Sequence, residues 1–329
     1  MNDRWLLISL SLLVFCLFCL SLVAGRNPLP IWQAANEALT DRSSVFALIL
    51  TEIRLPRALI ALFAGATLGL AGAAMQGLLR NPLASPDLIG SSSGAALCAV
   101  IVLYFGWQSV SLALLPLSAM LGSLVATALV FALAGRDASI TTLILAGVAV
   151  NAFATSAMSL LLNLAPSPYA MRELVLWTMG DITDRSMDDF WLMLPFTLIG
   201  WSLLLGVGRQ LNALTLGEET ANSLGVRPNW IRWRIFIAIA FAVGATVATT
   251  GMIGFIGLVV PHLLRPLVHY EPARLLPASA LGGAAMLLAA DIGVRLIPTE
   301  AALKVGVLTA LVGAPFFLYL ILRSRKEQL

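Results

Sequence analysis

Asp, Glu, Lys and Arg are absent from eight long stretches of the chain: residues 5–25, 58–79, 88–135, 138–171, 190–208, 235–264, 275–290 and 305–322. An α-helix crosses the hydrocarbon core of a bilayer with about 20 apolar residues. Most of the stretches therefore supply one crossing each. Residues 88–135 supply two, with a turn near Gly106, Trp107 and Gln108. Residues 235–264 are too long for one crossing and short for two. They predict a full helix, a glycine-rich turn over 251–257 and a short return helix. The pattern as a whole predicts an all-α, polytopic membrane protein of about ten transmembrane helices. It forms a single transmembrane domain over residues 1–329, with both termini on one side. Residues 5–24 outrun the apolar core of a signal peptide and read as the first membrane helix. Residues 171–180, mostly apolar and carrying Trp177, read as a short helix at the outer interface, where Trp is favoured.

Two stripes recur every four residues. Gly65, Gly69, Ala73 and Gly77 line one face of the second span. Small residues in that register let helix backbones approach closely, which is a packing signal. Asn151, Thr155, Ser159 and Asn163, continuing from Gly147, form a polar stripe on the fifth span. Polar groups facing lipid are costly. This stripe either hydrogen-bonds to another helix or walls a hydrated translocation path. Asp291 is the candidate intramembrane acid, and Arg295 sits where an intrahelical pair can form.

Composition agrees with the pattern. Hydrophobic residues make up 59% and charged residues 11% of the chain, and mean hydropathy is +0.92, whereas soluble domains carry about a quarter charged residues. With the N-terminus inside, the inner segments hold most of the 20 basic residues, so the positive-inside rule puts both termini in the cytoplasm. Basic and aromatic residues are not interleaved, which argues against nucleic acid as a partner. Cys16 and Cys19 have CxxC spacing inside an apolar run and read as packing residues. No metal site or catalytic constellation is expected, and membrane lipid is an expected partner.

One inner segment departs from these patterns. Thr215 and Glu218 have the spacing of a capping box, Gly225 is placed as a helix C-cap and Pro228 prevents continuation. Residues 216–224 should therefore form a helix of about two turns. So short a helix is marginal alone in water and needs a dock, either on its own domain or on a cytoplasmic partner.

This segment resembles the coupling loop of binding-protein-dependent ABC importer permeases of the FecCD type, which carry iron-siderophores, haem and cobalamin. The resemblance covers nearly the whole chain. It runs through Arg54-Leu-Pro-Arg57, Asn81-Pro-Leu-Ala-Ser-Pro-Asp-Leu-Ile-Gly90, Leu143-Ile-Leu-Ala-Gly147, Leu214-Thr-Leu-Gly217, Leu224-Gly-Val226, Gly254-Phe-Ile-Gly-Leu-Val-Val-Pro-His262, Leu288-Ala-Ala-Asp291 and Gly313-Ala-Pro315, in the family's order. One departure stands out. Lys304 occupies the position of a proline that usually precedes the Gly-Val opening the last helix.

The resemblance implies a type II ABC importer permease fold in the inner membrane. It implies two permease subunits, identical or closely paralogous, around one path. A periplasmic substrate-binding protein would dock outside on Arg54, Arg57 and Arg295; arginines snorkelling at helix ends are the alternative. A cytoplasmic ABC ATPase would couple through Leu216, Gly217, Glu218, Glu219, Leu224 and Gly225, within 212–228. The cytoplasmic gate would lie near Ile140 and Thr141, with Asn81 and Pro82 close by. ATP and Mg would be bound by the ATPase, with no cofactor in this chain. The sequence agrees: its two lysines, Lys304 and Lys326, are followed by Val305 and Glu327, so no G-K-[ST] phosphate loop exists. The expected cargo is a ferric siderophore, with haem or cobalamin as the alternative. A secondary transporter is the rival class.

Overall fold

The structure, a computed structural model, describes residues 3–25, 29–41, 43–111, 113–135, 140–298 and 303–326. Every regular element among them is helical. In chain order these are α1 (Asp3–Val23), α2 (Ile31–Thr40), α3 (Val45–Leu48), α4 (Leu55–Leu78), α5 (Ser91–Tyr104), α6 (Leu114–Ala134), α7 (Ile140–Asn163) and α8 (Pro168–Thr178). Then come α9 (Met187–Leu204), α10 (Val207–Thr215), α11 (Glu218–Ser223), α12 (Pro228–Thr250), α13 (Ile256–Leu264), α14 (Pro272–Leu296) and α15 (Val305–Lys326).

Among the described residues six helical segments are long and apolar enough to cross a membrane, including Val45–Leu78, which runs through α3, a π-helical stretch Ile49–Arg54 and α4. A seventh arises if α9 and α10, bent by 46° at their junction, count as one. Three shorter apolar helices, Ser91–Tyr104, Ile256–Val268 and Val305–Leu318, complete the apolar set. Length and composition thus support six or seven crossings. The expected ten requires all three short helices to span as well.

The bundle is built around α4, which is buried along most of its length and packs on α14, α13 and α12. The small-residue stripe is the reason. A Cβ on Gly65 would stand 2.4 Å from the Gly283 carbonyl oxygen, and one on Gly69 would stand 2.0 Å from that of Ser279. The α4 and α14 backbones are in contact, and no larger residue fits there. At one end, called here the coupling end, Gly77 meets Leu211 of α10. At the far end, Arg54 donates to the Leu22 and Val23 carbonyls (2.9 and 2.5 Å), closing the C-terminus of α1. A cation at this position satisfies orphan carbonyls and complements the helix dipole.

Two segments at the middle of the bundle are not α-helical. After α4 the chain turns back and Pro86–Ile89 forms a 3-10 turn. Pro86 lies beside Gly257, and Gly257 packs on α4 between Leu68 and Gly72. Gly90, at φ 70°, rests on Val150, near the midpoint of α7. At 1.5 Å per residue these contacts lie about 10–15 Å from the helix ends. Residues 251–255 are likewise non-helical and carry the chain from α12 into α13, which starts at the same depth. The predicted glycine-rich turn and short return helix are therefore present. The loop after α4 differs from expectation: its second half re-enters the bundle.

Candidate transport pathway and coupling surface

Irregular backbone at membrane depth persists only where protein or a water-filled cavity satisfies its polar groups. The two irregular segments meet such a cavity. It encloses about 800 Å3, and its lining includes Asp87, Ser92, Ser93, Asn151, Thr155 and Thr178. Met179, residues 252–254 and one face of α15 from Gly306 to Pro315 complete it. Backbone contacts tie together the segments at its far end. The Asp181 amide donates to the Thr250 carbonyl (2.7 Å) and the Gly306 amide to the Gly180 carbonyl (3.0 Å).

The polar stripe on α7 divides. Asn151 and Thr155 line this cavity, whereas Ser159 and Asn163 lie beyond its described lining. All four are exposed in the single chain. The hydroxyls turn back on their own helix: Thr155 donates to the Asn151 carbonyl (2.8 Å) and Ser159 to that of Thr155 (2.9 Å). Of the residues expected at the gate, Asn81 forms a tight turn, its side chain accepting from the Leu83 amide at 2.9 Å, and Pro82 is exposed. Thr141 is exposed at the start of α7, and the Ile140 side chain lies outside the described residues. The part of this loop that reaches α7 is Pro86–Ile89 with Gly90, at the level of Val150.

The three arginines expected outside form an internal cluster. Asp291 is 0% exposed. Arg57 contacts its Oδ1 through Nε (2.8 Å) and Nη2 (2.7 Å), and Arg295 pairs with Oδ2. Arg295 also donates to the Ser21 carbonyl at 2.8 Å. The expected Asp291–Arg295 intrahelical pair is thus joined by Arg57. Asp291 bridges two cations, and Arg54 and Arg295 both bind the end of α1. A carboxylate so compensated is poorly placed to shuttle protons.

At the coupling end α11 is shorter than expected. Thr215 closes the preceding helix by donating to the Asn212 carbonyl (2.6 Å), so the capping box does not form. Gly217, at φ 103°, occupies the N-cap, and the helix begins at Glu218. Its C-terminus is as expected. Gly225 sits at φ 80°, with its amide on the Asn222 carbonyl and the Val226 amide on that of Ala221, both 2.9 Å. This is the Schellman arrangement. Ala221 is fully buried, while Leu216 and Leu224 are 64% and 62% exposed and Glu219 points out as well. Glu218 is engaged within the chain, by Arg232 of α12 at 2.5 Å. Arg232 also borders a cleft of about 320 Å3 with Phe131, Leu143 and Trp233. It joins the short helix to the coupling ends of α6 and α7.

Residues 12–323 match the FecCD transport family. The chain belongs to that family. The hemin transport system permease protein HmuU of Yersinia pestis is 41% identical over 283 residues, 84% of each chain. The vitamin B12 import system permease protein BtuC of Salmonella typhi is 40% identical over 328 residues, 99% of this chain and 97% of its own. A metal-chelate type ABC transporter in an inward-facing conformation superposes with a TM-score of 0.85 at 33% identity, over 97% of this chain and 99% of that one. PsaBC from Streptococcus pneumoniae, at 17% identity and a TM-score of 0.55, shares the fold. The all-helical type II importer permease fold expected from the sequence is present.

Within the FecCD frame, the lysine that replaces the usual proline has a defined partner. Lys304 pairs with Asp181, and both are largely buried. The pair fastens the start of α15 to the loop after α8, beside the backbone contacts of Gly180, Asp181 and Gly306. Burial alone would push the Asp181 carboxyl up. Lys304 and the Thr183 hydroxyl and amide outweigh burial and hold it below its ordinary value of 3.8. Sequence reasoning missed this partnership, and it gave Asp87 no role.

Proposed function

We propose that this chain is the membrane-spanning permease of an ATP-driven importer that carries a metal chelate from the periplasm to the cytoplasm. The observation that carries this reading is the pairing of two features on one FecCD chain: a cavity at mid-depth whose largely apolar lining carries Asp, Ser, Asn and Thr side chains, and a short helix with exposed apolar flanks at one end. The first suits a bulky polar cargo. The second suits a partner that supplies force, because the chain has no phosphate loop of its own.

In this reading the coupling end is cytoplasmic and ten helical segments cross the inner membrane, with both termini in the cytoplasm. All of residues 1–329 form one membrane domain. An ABC ATPase, which binds ATP and Mg, docks on Leu216, Gly217, Glu219, Leu224 and Gly225. Glu218 passes the movement to α12 through Arg232. A second permease subunit covers the exposed polar stripe of α7, so that Asn151, Thr155, Ser159 and Asn163 of each copy face one path. Asn81, Pro82, Ile140 and Thr141 bound its cytoplasmic exit. A periplasmic binding protein delivers cargo at the far end, where the Arg54–Arg57–Arg295 cluster holds the receiving surface in shape.

The preferred cargo is a ferric siderophore. Its neutral, oxygen-rich periphery matches a lining of Asn, Ser and Thr side chains. The hemin and vitamin B12 permeases among the relatives favour a tetrapyrrole as the second reading. The test is uptake into proteoliposomes holding the permease with its ATPase and binding protein. ATP-dependent accumulation of a ferric hydroxamate, abolished by vanadate and unaffected by a protonophore, is expected. Accumulation driven by a proton gradient without ATP would overturn the reading.

A further inference from the structure

We propose that Asp87 is a charge filter in the path, so that this permease passes neutral and cationic chelates and rejects anionic ones. The proposal rests on the import reading above and narrows its substrate class. An ionisable side chain at membrane depth is expensive unless it is paired or faces water. Two other acids inside the bundle are paired: Asp291 with Arg57 and Arg295, and Asp181 with Lys304. Asp87 makes no ion pair among the described residues. It is exposed to the 800 Å3 cavity, whose described lining contains no Lys, Arg or His.

Two features support a negative charge here against the cost of taking the carboxylate out of bulk water. Asp87 lies in the re-entrant turn just before α5, whose first residues are Ser91, Ser92 and Ser93. Ser92 hydrogen-bonds its carboxylate. The positive end of the α5 dipole favours an anion there. A bare helix N-terminus at mid-depth would attract anionic cargo, and Asp87 occupies that place with its own charge. The remaining polar groups of the wall, Asn151, Thr155 and Thr178, carry no charge that could mask it. A like charge on cargo within about 10 Å of Asp87 is disfavoured on the order of tenfold or more.

The local potential can be read without any substrate. The native cysteines are first replaced and Thr155→Cys is introduced into the intact permease in vesicles. Its reaction rates with a trimethylammonium and a sulfonate thiosulfonate reagent are then compared with Asp87 present and in Asp87→Asn and Asp87→Glu. We expect the cation-to-anion rate ratio to fall about tenfold in Asp87→Asn, to be retained in Asp87→Glu, and to shrink at high salt. A ratio unchanged in Asp87→Asn, or a cysteine that reacts with neither reagent, overturns the filter.

Uptake of three ferric tris-hydroxamates differing only in a hydroxyl, ammonium or carboxylate pendant group then tests selectivity in the complete importer. Each uptake rate is corrected for its affinity for the binding protein. The carboxylate form should be excluded by wild type and gain about tenfold in Asp87→Asn. An unchanged charge preference in Asp87→Asn overturns the filter. If wild type takes up none of the three while the thiosulfonate ratio responds as expected, the chelate reading fails and the charged path stands.

Discussion

Asp291 and Arg57 set the residue-scale argument. The sequence pairs Asp291 with Arg295 alone and sends Arg57 outward, and the structure joins Asp291 and Arg57 across two helices in a buried cluster. Breaking a buried pair leaves an uncompensated charge, which costs about 3–5 kcal/mol. Arg57→Ala and Asp291→Asn should therefore lower the unfolding temperature of the detergent-solubilised permease by several degrees, measured by thermal aggregation. A substitution that only weakened docking of a binding protein would leave that temperature unchanged. The docking role inferred from resemblance must be tested in variants that still fold.

The Lys304–Asp181 pair makes a pH statement. The Asp181 carboxyl titrates below its ordinary value, so its contribution is complete above about pH 4 and is lost as pH falls through the lowered value. The pair persists throughout the physiological range. Asp181→Asn should remove this part of the acid sensitivity: the variant's unfolding temperature should fall less than that of wild type between pH 5 and pH 3. Equal slopes would show that the pair adds nothing to stability.

Among elements, legibility followed how local the determining physics was. The α4 stripe was readable because four-residue spacing of glycine has one common use, and Gly65 and Gly69 lie against α14 as that use requires. Gly69→Leu should cost about 2–3 kcal/mol by overpacking and broaden the permease's elution profile, while Gly106→Leu, in an open turn, should fold with only local strain. Gly225 was readable as a cap for a similar reason, since few residues tolerate its left-handed backbone. The Thr215–Glu218 capping box was a matching pattern that failed. Asn212 offered Thr215 a nearer acceptor, and Arg232, 14 residues further on, took Glu218. Asp87 was illegible because re-entry depends on where Pro86 and Gly257 meet, a contact between segments about 170 residues apart.

In the proposed import cycle, movement enters through α11 and is answered by the cavity. The two are linked by α12, which carries Arg232 near one end and leads into cavity-lining residues 252–254 at the other. The exposed groups, Leu216, Leu224 and Glu219, are free to serve a partner, whereas Glu218 serves the chain itself. A variant carrying Leu216→Asp, Glu219→Lys and Leu224→Asp alters only exposed positions and should fold as wild type does. The most direct measurement is ATPase co-purification with this variant from detergent, paired with ATP-driven chelate uptake in vesicles. The account predicts loss of the ATPase and of at least nine-tenths of uptake, with binding-protein docking at the far end retained. Full ATPase retention together with full uptake would contradict it.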